Sequence, residues 1–565
     1  MVRRWAPVLL ALLPTLFMLA MLLAPTLRLV WEGLWGQDLA LGLPDEAALN
    51  GGEEASSIWS IWQDADLRWR MGWSLLQAAI TCGLTLLLGV PLAWVLARWQ
   101  FTGCAWVLRL LMLPFVVPTL VAALGVLALW GPRGWLGAPL LAAGVELEET
   151  PWLLLYGNLF FNLCLVVRAG VEALEQVSQT RLAAARTLGA TAWRAFWRIE
   201  WPMMLPRLAS SLCLVFLYCF SGFGLALVLG GQRYATVEVE IYRLVAHELA
   251  LAQASRLALW TLGVNLLAAL AYAWIEQNLA SPARTVPLPR KPVQTWVQRS
   301  TLTLALLVLL AVCGAPLLAI VWRALQALDA GSMAVLQNEE TISALRNTAV
   351  FASAAVVFAT LLGVLHALAV HASRTTGWGK VAARAASFLP LVASPIMIAF
   401  GLLLLYPQWS ASLVILLGAY TLLATPFVAT ALSAALDQLP ASYAQAAATL
   451  GARPWRVFWR VTLPLILPAL RRGMAFAAAT ALGEFAVSLF LSRPEWTTLT
   501  TLINTHLGRP GEAQLDAAML LSALLMLLTL ATFTLLEGRG SALPHTSHHS
   551  TQHRQTQDHS NIRSP

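Results

Sequence analysis

Glu484 stands inside "LGEFAVSLF", which begins at Leu482, and a carboxylate in so apolar a run needs a partner or a water-filled lumen. A cationic solute would gain from it, although a structural or gating role is the favoured reading. Asn158 and Asn162, four residues apart in another apolar run, share a helix face. Hydrogen bonds to a neighbouring helix or to water in a cavity would satisfy them, and packing is favoured of the two. Arg168, near the end of the same run, snorkels toward the interface. Asn158, Asn162 and Glu484 are therefore the candidates for a substrate path or gate. No reaction centre emerges. The nine histidines are scattered or lie in the C-terminal tail, and no nucleophile stands beside a base by motif. Cys82, Cys104, Cys164, Cys213, Cys219 and Cys313 show neither disulfide nor metal spacing. No G-x-x-x-x-G-K-[ST] occurs, because "GWGK" at Gly377 to Lys380 lacks the upstream glycine and the following hydroxyl. The sequence predicts no catalytic residue, no metal site and no cofactor held by this chain.

The elements that position these groups are set by composition. A chain of 565 residues that is 59% apolar and 11% charged, with mean hydropathy +0.70, belongs in a lipid bilayer. A crossing takes roughly 20 apolar helical residues. Twelve such spans are predicted, near 6 to 27, 72 to 97, 110 to 130, 152 to 171, 209 to 229 and 257 to 277, then 301 to 322, 348 to 371, 386 to 406, 412 to 433, 473 to 492 and 515 to 536. No alternating strand pattern competes, so the fold class is all-α integral membrane. The first span is read as a retained helix and not a cleaved signal, because its apolar run is long and lacks a small-x-small site. Pro114, Pro118, Pro390 and Pro395 are expected to kink the third and ninth spans.

Charge sets the orientation. Arg98 and Arg109 flank one short loop, Arg374, Lys380 and Arg384 mark another, and Arg284, Arg290, Lys291 and Arg299 a third, which places these loops in the cytoplasm. The alternate loops carry Glu32, Asp38, Asp45, Glu53, Asp64 and their neighbours, or Glu146, Glu148 and Glu149, and face outward. Both termini are then cytoplasmic. The net charge of +8 is a topology signal, and no nucleic-acid partner is indicated. Residues 279 to 300, rich in Pro and basic residues, read as a linker, and 538 to 565 as a disordered tail with His545, His548, His549, His553 and His559.

One stretch occurs twice. "TLGATAWRAFWRIEWPMMLP" begins at Thr187, and "TLGARPWRVFWRVTLPLILP" at Thr449, 262 residues later. Both lie between the fourth and fifth spans of their half and on the same side, so the chain reads as two parallel six-helix repeats, 1 to 278 and 301 to 537. Each loop, 177 to 208 and 436 to 472, offers a helix of small residues, a glycine that can bend it, and a second helix rich in Arg and Trp. Such a projection can receive force from a protein in the cytoplasm. The alternative, an amphipathic interfacial helix, does not account for duplication at one topological position.

The loops resemble the "EAA" loop of importer-type ABC transporter permeases, in which Glu-Ala-Ala is followed after three residues by Gly and later by hydrophobic-x-Leu-Pro. The first copy keeps Ala184, Ala185, Gly189, Ile199 and Pro202, and the second Ala446, Ala447, Gly451, Leu463 and Pro464. The acidic residue is replaced by Ala183 and by Gln445, and Trp201 stands where Leu is usual. The resemblance implies that Ala184, Ala185, Gly189, Trp193, Arg194 and Pro202, with Ala446, Ala447, Gly451, Trp455, Arg456 and Pro464, contact the coupling clefts of two copies of a cytoplasmic ABC ATPase. ATP-Mg would then be bound by those subunits. Fused two-half permeases of this type resemble the thiamine and ferric-iron importers, and "GPRGWLG" from Gly131, "LFFNL" from Leu159 and "LVLGGQRYATVEVEIYRL" from Leu227 look most like the thiamine permeases. Implied with them are a small-molecule substrate, a periplasmic substrate-binding protein and a bacterial inner-membrane location. Thiamine leads as substrate, with ferric iron or an oxyanion as the alternative. An ion-coupled secondary transporter, which also has two related halves, is the reading of another class. It predicts titratable residues deep in the spans and no large coupling loops.

Overall fold

The computed structural model describes residues 2–36, 61–148, 150–278, 290–329, 333–372, 389–409, 412–491 and 493–538. The acidic residues from Asp38 to Glu54, Glu149, the basic loop with Arg374, Lys380 and Arg384, the linker through 289 and the His-rich tail lie outside the described residues. Helices α1 (Leu10–Trp35) and α2 (Ala65–Arg98) are followed by a bent pair, α3 (Cys104–Val116) and α4 (Thr119–Trp130); then come α5 (Trp152–Glu175), α6 (Ala192–Phe220) and α7 (Leu251–Glu276). The second half holds α8 (Trp296–Asp329), α9 (Glu339–Ala372), the shorter α10 (Pro395–Leu405), α11 (Leu413–Gln438), α12 (Trp455–Leu482) and α13 (Glu512–Glu537). Among the described residues ten helices are long and apolar enough to cross a membrane, eleven if the bent pair counts as one. The fold is all-α and membrane-spanning, as the composition requires.

Two predicted spans are broken and not merely kinked. Between α3 and α4 the chain turns through 104°. Val117, which precedes Pro118, takes the extended conformation (φ −68°, ψ 136°), and so does Ser394 before Pro395 (φ −62°, ψ 155°). A proline ring excludes the helical region for the residue ahead of it, and both spans part there. The fifth and eleventh spans are also displaced. Their helices, α6 and α12, stop at Phe220 and Leu482, and the apolar remainder forms the short helices Gly224–Leu229 and Ala486–Leu491. At the second break a Cβ on Gly483 would meet Pro118 Cα at 3.1 Å, so the turn is fitted against the other half's proline. Helix α8 starts at Trp296, five residues inside the predicted linker, because Thr295 and Gln298 form a reciprocal capping box.

Four π-turns each stand one residue ahead of a proline: Leu19–Leu23 before Ala24 and Pro25, Phe196–Glu200 before Trp201 and Pro202, Leu310–Gly314 before Ala315 and Pro316, and Phe458–Thr462 before Leu463 and Pro464. Proline lacks an N–H and collides with the carbonyl one turn back, and the wider turn relieves the collision without ending the helix.

The halves are interlocked. The segment Ala24–Trp35 of α1 packs between α7 and α10, and Ala315–Asp329 of α8 packs between α13 and α4. Each half thus lends its first helix to the broken span of the other. Glycines make the approach possible, for a Cβ on Gly125 would meet Pro316 O at 2.9 Å and one on Gly401 would meet Pro25 O at 3.0 Å. Leu29, Leu124, Ile320 and Phe400 consequently belong to one buried core that joins both halves.

Candidate functional site

The repeated loops fold alike. In the first, Gln179–Thr187 is helical and closes on Gly189 at φ +75°, with Gly189 N–H donating to Arg186 O at 3.0 Å and Ala190 N–H to Ala185 O at 2.9 Å. In the second, Ala441–Thr449 closes on Gly451 at φ +78°, with Gly451 N–H donating to Ala448 O and Ala452 N–H to Ala447 O, both at 3.0 Å. This pair of bonds is the Schellman closure, which wants a glycine in the left-handed region and assigns Ala185 and Ala447 as its carbonyl acceptors. The chain then re-enters helix, through Thr191 Oγ1 accepting from Arg194 N–H at 3.3 Å in the first loop, and with Pro454 as the first helical residue in the second. Pro202 and Pro464 occupy the first turn of the following segments, just after the π-turns.

Both projections carry large apolar groups into the open. Leu188 and Leu450 are each 87% exposed, Trp193 72% and Trp455 71%, and Arg194 and Arg456 are exposed beside them. Ala184 and Ala446 are exposed, and Ala185 and Ala447 half-buried. Exposed apolar groups of such size in matched places mark a surface that meets either another protein or lipid. The first loop is anchored at its base, where buried Glu200 accepts from Arg98 and from Trp94 Nε1, the latter at 3.2 Å. The short strand Trp99–Gln100 beside it pairs in parallel with Lys291–Pro292 of the linker, and Arg290 bridges to Glu175 at 2.7 Å. Described members of two basic loops are thus gathered at the end of the bundle that carries this repeated loop.

A cavity of about 260 Å³ lies deeper, between the halves, where all four helix breaks meet. The three candidates from sequence line it. Asn158 and Asn162 are buried, and they also knit helices together: Asn158 Nδ2 donates to Gln77 Oε1 of α2 at 2.7 Å, Asn162 Nδ2 to Asn158 O at 2.9 Å and to Cys219 Sγ of α6 at 3.3 Å. Packing and cavity lining are both served. Glu484 is buried, and its Oε1 accepts from Val487 N–H at 3.0 Å, capping Ala486–Leu491. Arg168 stays outside this group and pairs with Glu172 at 3.0 Å, which also holds Arg207.

Sequence reasoning missed the rings around the cavity. Tyr218 and Phe115 lie with centroids 5.6 Å apart, Phe115 and Phe476 6.0 Å, and Phe476 and Phe427 6.2 Å with planes inclined by 19°. This run takes two rings from each half, and Phe161, Phe223 and Phe485 also line the cavity. At the offset of 262 Phe427 answers to Leu165, Phe476 to Leu214, Tyr218 to Thr480 and Glu484 to Gly222, but most positions of these spans differ between the halves as well, so the sequence carried no signal for the rings. Also missed were the contacts that cross the halves beside the break at Pro395. Ser394 Oγ donates to Glu238 Oε2 at 2.7 Å, and Asn265 Nδ2 donates to Val392 O at 3.0 Å.

Comparison with known proteins matches residues 89–281 and 359–538 separately to the family described as the binding-protein-dependent transport system inner membrane component. The chain is 27% identical to the thiamine transport system permease protein ThiP of Escherichia coli (strain K12) over 495 residues, 85% of this chain and 90% of that protein. It is 26% identical to ThiP of Haemophilus influenzae over 480 residues, 82% of this chain and 88% of that one. The sulfate transport system permease protein CysW of Synechocystis is 32% identical over 159 residues, which is 28% of this chain and 58% of that protein.

Proposed function

From the premise that this chain belongs to the binding-protein-dependent transport system inner membrane component family, we propose that it is the fused, two-half permease of an ATP-driven thiamine importer. A permease subunit moves solute and is not itself an enzyme. Its halves are 1 to 278 and 296 to 537, joined by a linker that starts at 279 and ends where α8 begins at Trp296, and followed by a tail at 538 to 565. The observation that carries the importer reading is the pair of Schellman-closed loops, alike in topology, that expose Trp193 and Trp455 at matched places. Each loop docks on one copy of a cytoplasmic ABC ATPase, which binds ATP-Mg. A binding protein delivers substrate at the opposite face. ATP-driven approach of the two ATPases draws the loops together, and the interlocked halves pass from inward-open to outward-open; hydrolysis resets them. The thiamine reading rests on the relatives that cover most of the chain, whereas the sulfate-permease likeness covers 28% of it.

The test is uptake of labelled thiamine, ferric iron and sulfate in cells lacking other importers for them, with the partner ATPase either active or inactivated by substitution. Thiamine uptake that stops with the ATPase while the proton gradient persists is the expected result. Uptake that survives loss of the ATPase would return the chain to the ion-coupled class.

A further inference from the structure

We propose that the cavity between the halves is a transit site for an aromatic organic cation, held by the Glu484 carboxylate against the wall of rings; this rests on the importer reading above. Its volume, about 260 Å³, is just below the range of about 300–1,000 Å³ common for small-molecule sites, so it takes one small molecule. Among its described lining residues Glu484 is the one carboxylate, and no Lys, Arg or His accompanies it. An oxyanion entering here would give up water and meet no cation in return. A ferric ion would meet one carboxylate, the Tyr218 phenol, the neutral hydroxyls of Thr119, Ser221, Ser394 and Thr480, and two amides already engaged with one another and with Gln77, so one formal charge would face three in a mostly apolar lining. A delocalised, weakly hydrated organic cation fares differently. The faces of Phe115, Tyr218, Phe427 and Phe476 attract it, and the carboxylate neutralises it.

The internal repeat is compatible with the same reading. The coupling loops, which meet two identical partners, keep their Gly, Trp, Arg and Pro in both copies. The cavity is matched only in part: Phe223 and Phe485 answer to one another at the offset of 262, whereas Tyr218, Phe427, Phe476 and Glu484 each answer to a different residue type in the other half. A pseudo-twofold frame that loses its symmetry at these positions fits a single, asymmetric ligand lying across the axis.

Glu484 also caps a helix, so the informative substitution is Glu484→Gln, which keeps the acceptor for Val487 N–H and removes the charge. The readout is the number of ATP molecules hydrolysed per thiamine delivered, in proteoliposomes holding the permease, its ATPase and thiamine-loaded binding protein. Glu484→Gln is expected to raise that ratio about tenfold or more through lost delivery, with hydrolysis retained. Phe476→Leu should raise it severalfold and Phe476→Tyr restore it. A merely structural role would lower hydrolysis and delivery together and leave the ratio alone. Wild-type ratios in both Glu484→Gln and Phe476→Leu would overturn the site while leaving the thiamine importer standing. Delivery of another aromatic cation, such as an N-alkylpyridinium, with the same dependence on Glu484, would support the site and remove thiamine. Delivery of ferric iron or sulfate in place of thiamine would overturn both.

Discussion

Gly189 and Gly451, at φ of +75° and +78°, occupy a region where a side chain costs about 1 kcal/mol or more. Nothing lies within 4 Å of a Cβ built on either, so a larger residue is strained in its backbone but collides with nothing inside the chain. Gly451→Arg and Gly189→Arg should therefore insert in the membrane at near-normal levels while a guanidinium projects into the proposed ATPase contact. Co-purification of the ATPase should weaken and uptake at matched expression should fall to background. Gly451→Asn, which tolerates the left-handed region, should keep most activity. Normal uptake by both arginine variants would reduce the loops to interfacial helices. These two glycines were legible in the sequence because the stretch around them is repeated and because their conformational requirement leaves a residue-type signature. The cavity rings were not, since a Phe in an apolar run reads the same whether it faces lipid, a neighbouring helix or a lumen. Glu484 was conspicuous for its charge, but its service as a cap to Val487 depends on a helix break that residue types alone did not reveal.

At the scale of elements, hydropathy located nearly every apolar segment and misplaced their interruptions. A window average over 209 to 229 cannot distinguish one helix from a helix, a turn at Ser221 to Phe223 and a short second helix, because all three are apolar. The proline pairs carried the missing information, but a kink and a break have the same composition; what decides is whether the preceding residue, Val117 or Ser394, is held extended by its surroundings. The exchange of first helices was equally silent in the sequence, although its glycines and prolines are present in both halves. It makes a prediction. Gly125→Val and Gly401→Val each press a side chain against a proline-bearing helix of the opposite half at 2.9 to 3.0 Å from a carbonyl, and overpacking of this kind costs about 1–3 kcal/mol. Each should lower the melting temperature of the purified permease in detergent. The double variant should show the sum of the two shifts, because the crossings are separate contacts. A melting temperature equal to wild type in either would mean that the crossing helices can withdraw, and that the interlock is not a fixed feature of the fold.

Over the whole molecule, orientation and opening are linked. The charge rule sets the loops at 190 to 200 and 452 to 462 inside, so single cysteines at Glu53 and Glu148 should react with an impermeant thiol reagent applied from outside, and those at Ala192 and Pro454 should not. External labelling at Ala192 would invert the topology. Within that frame the contacts spanning the halves decide which state is populated. Glu238 lies in Val237–Arg243, and Val237 N–H donates to Ser74 Oγ at 2.9 Å near the start of α2, the end opposite Arg98 and the first coupling loop. From there its Oε2 accepts from Ser394 Oγ, while Asn265 Nδ2 holds Val392 O, so two hydrogen bonds tie the first half to the residues just ahead of Pro395. Glu238 is fully buried and its Oε1 finds no partner among the described residues, which leaves the pair dependent on one hydroxyl. An outward-opening movement that separates the halves at this end must break both bonds. A hydrogen bond contributes about 0.5–1.5 kcal/mol net, so removing one should shift the equilibrium roughly two- to tenfold toward the open form. Ser394→Ala, which also removes the cap that Ser394 Oγ gives Met397 N–H at the start of α10, is therefore expected to raise basal ATP hydrolysis of the assembled complex, measured without binding protein, by at least that factor, and to speed labelling of a cysteine at Thr480 from the outside. Ser394→Thr, which keeps the hydroxyl, should behave like wild type. If Ser394→Ala leaves both the basal rate and the labelling unchanged, the contact is packing alone and the outer closure resides elsewhere between the halves.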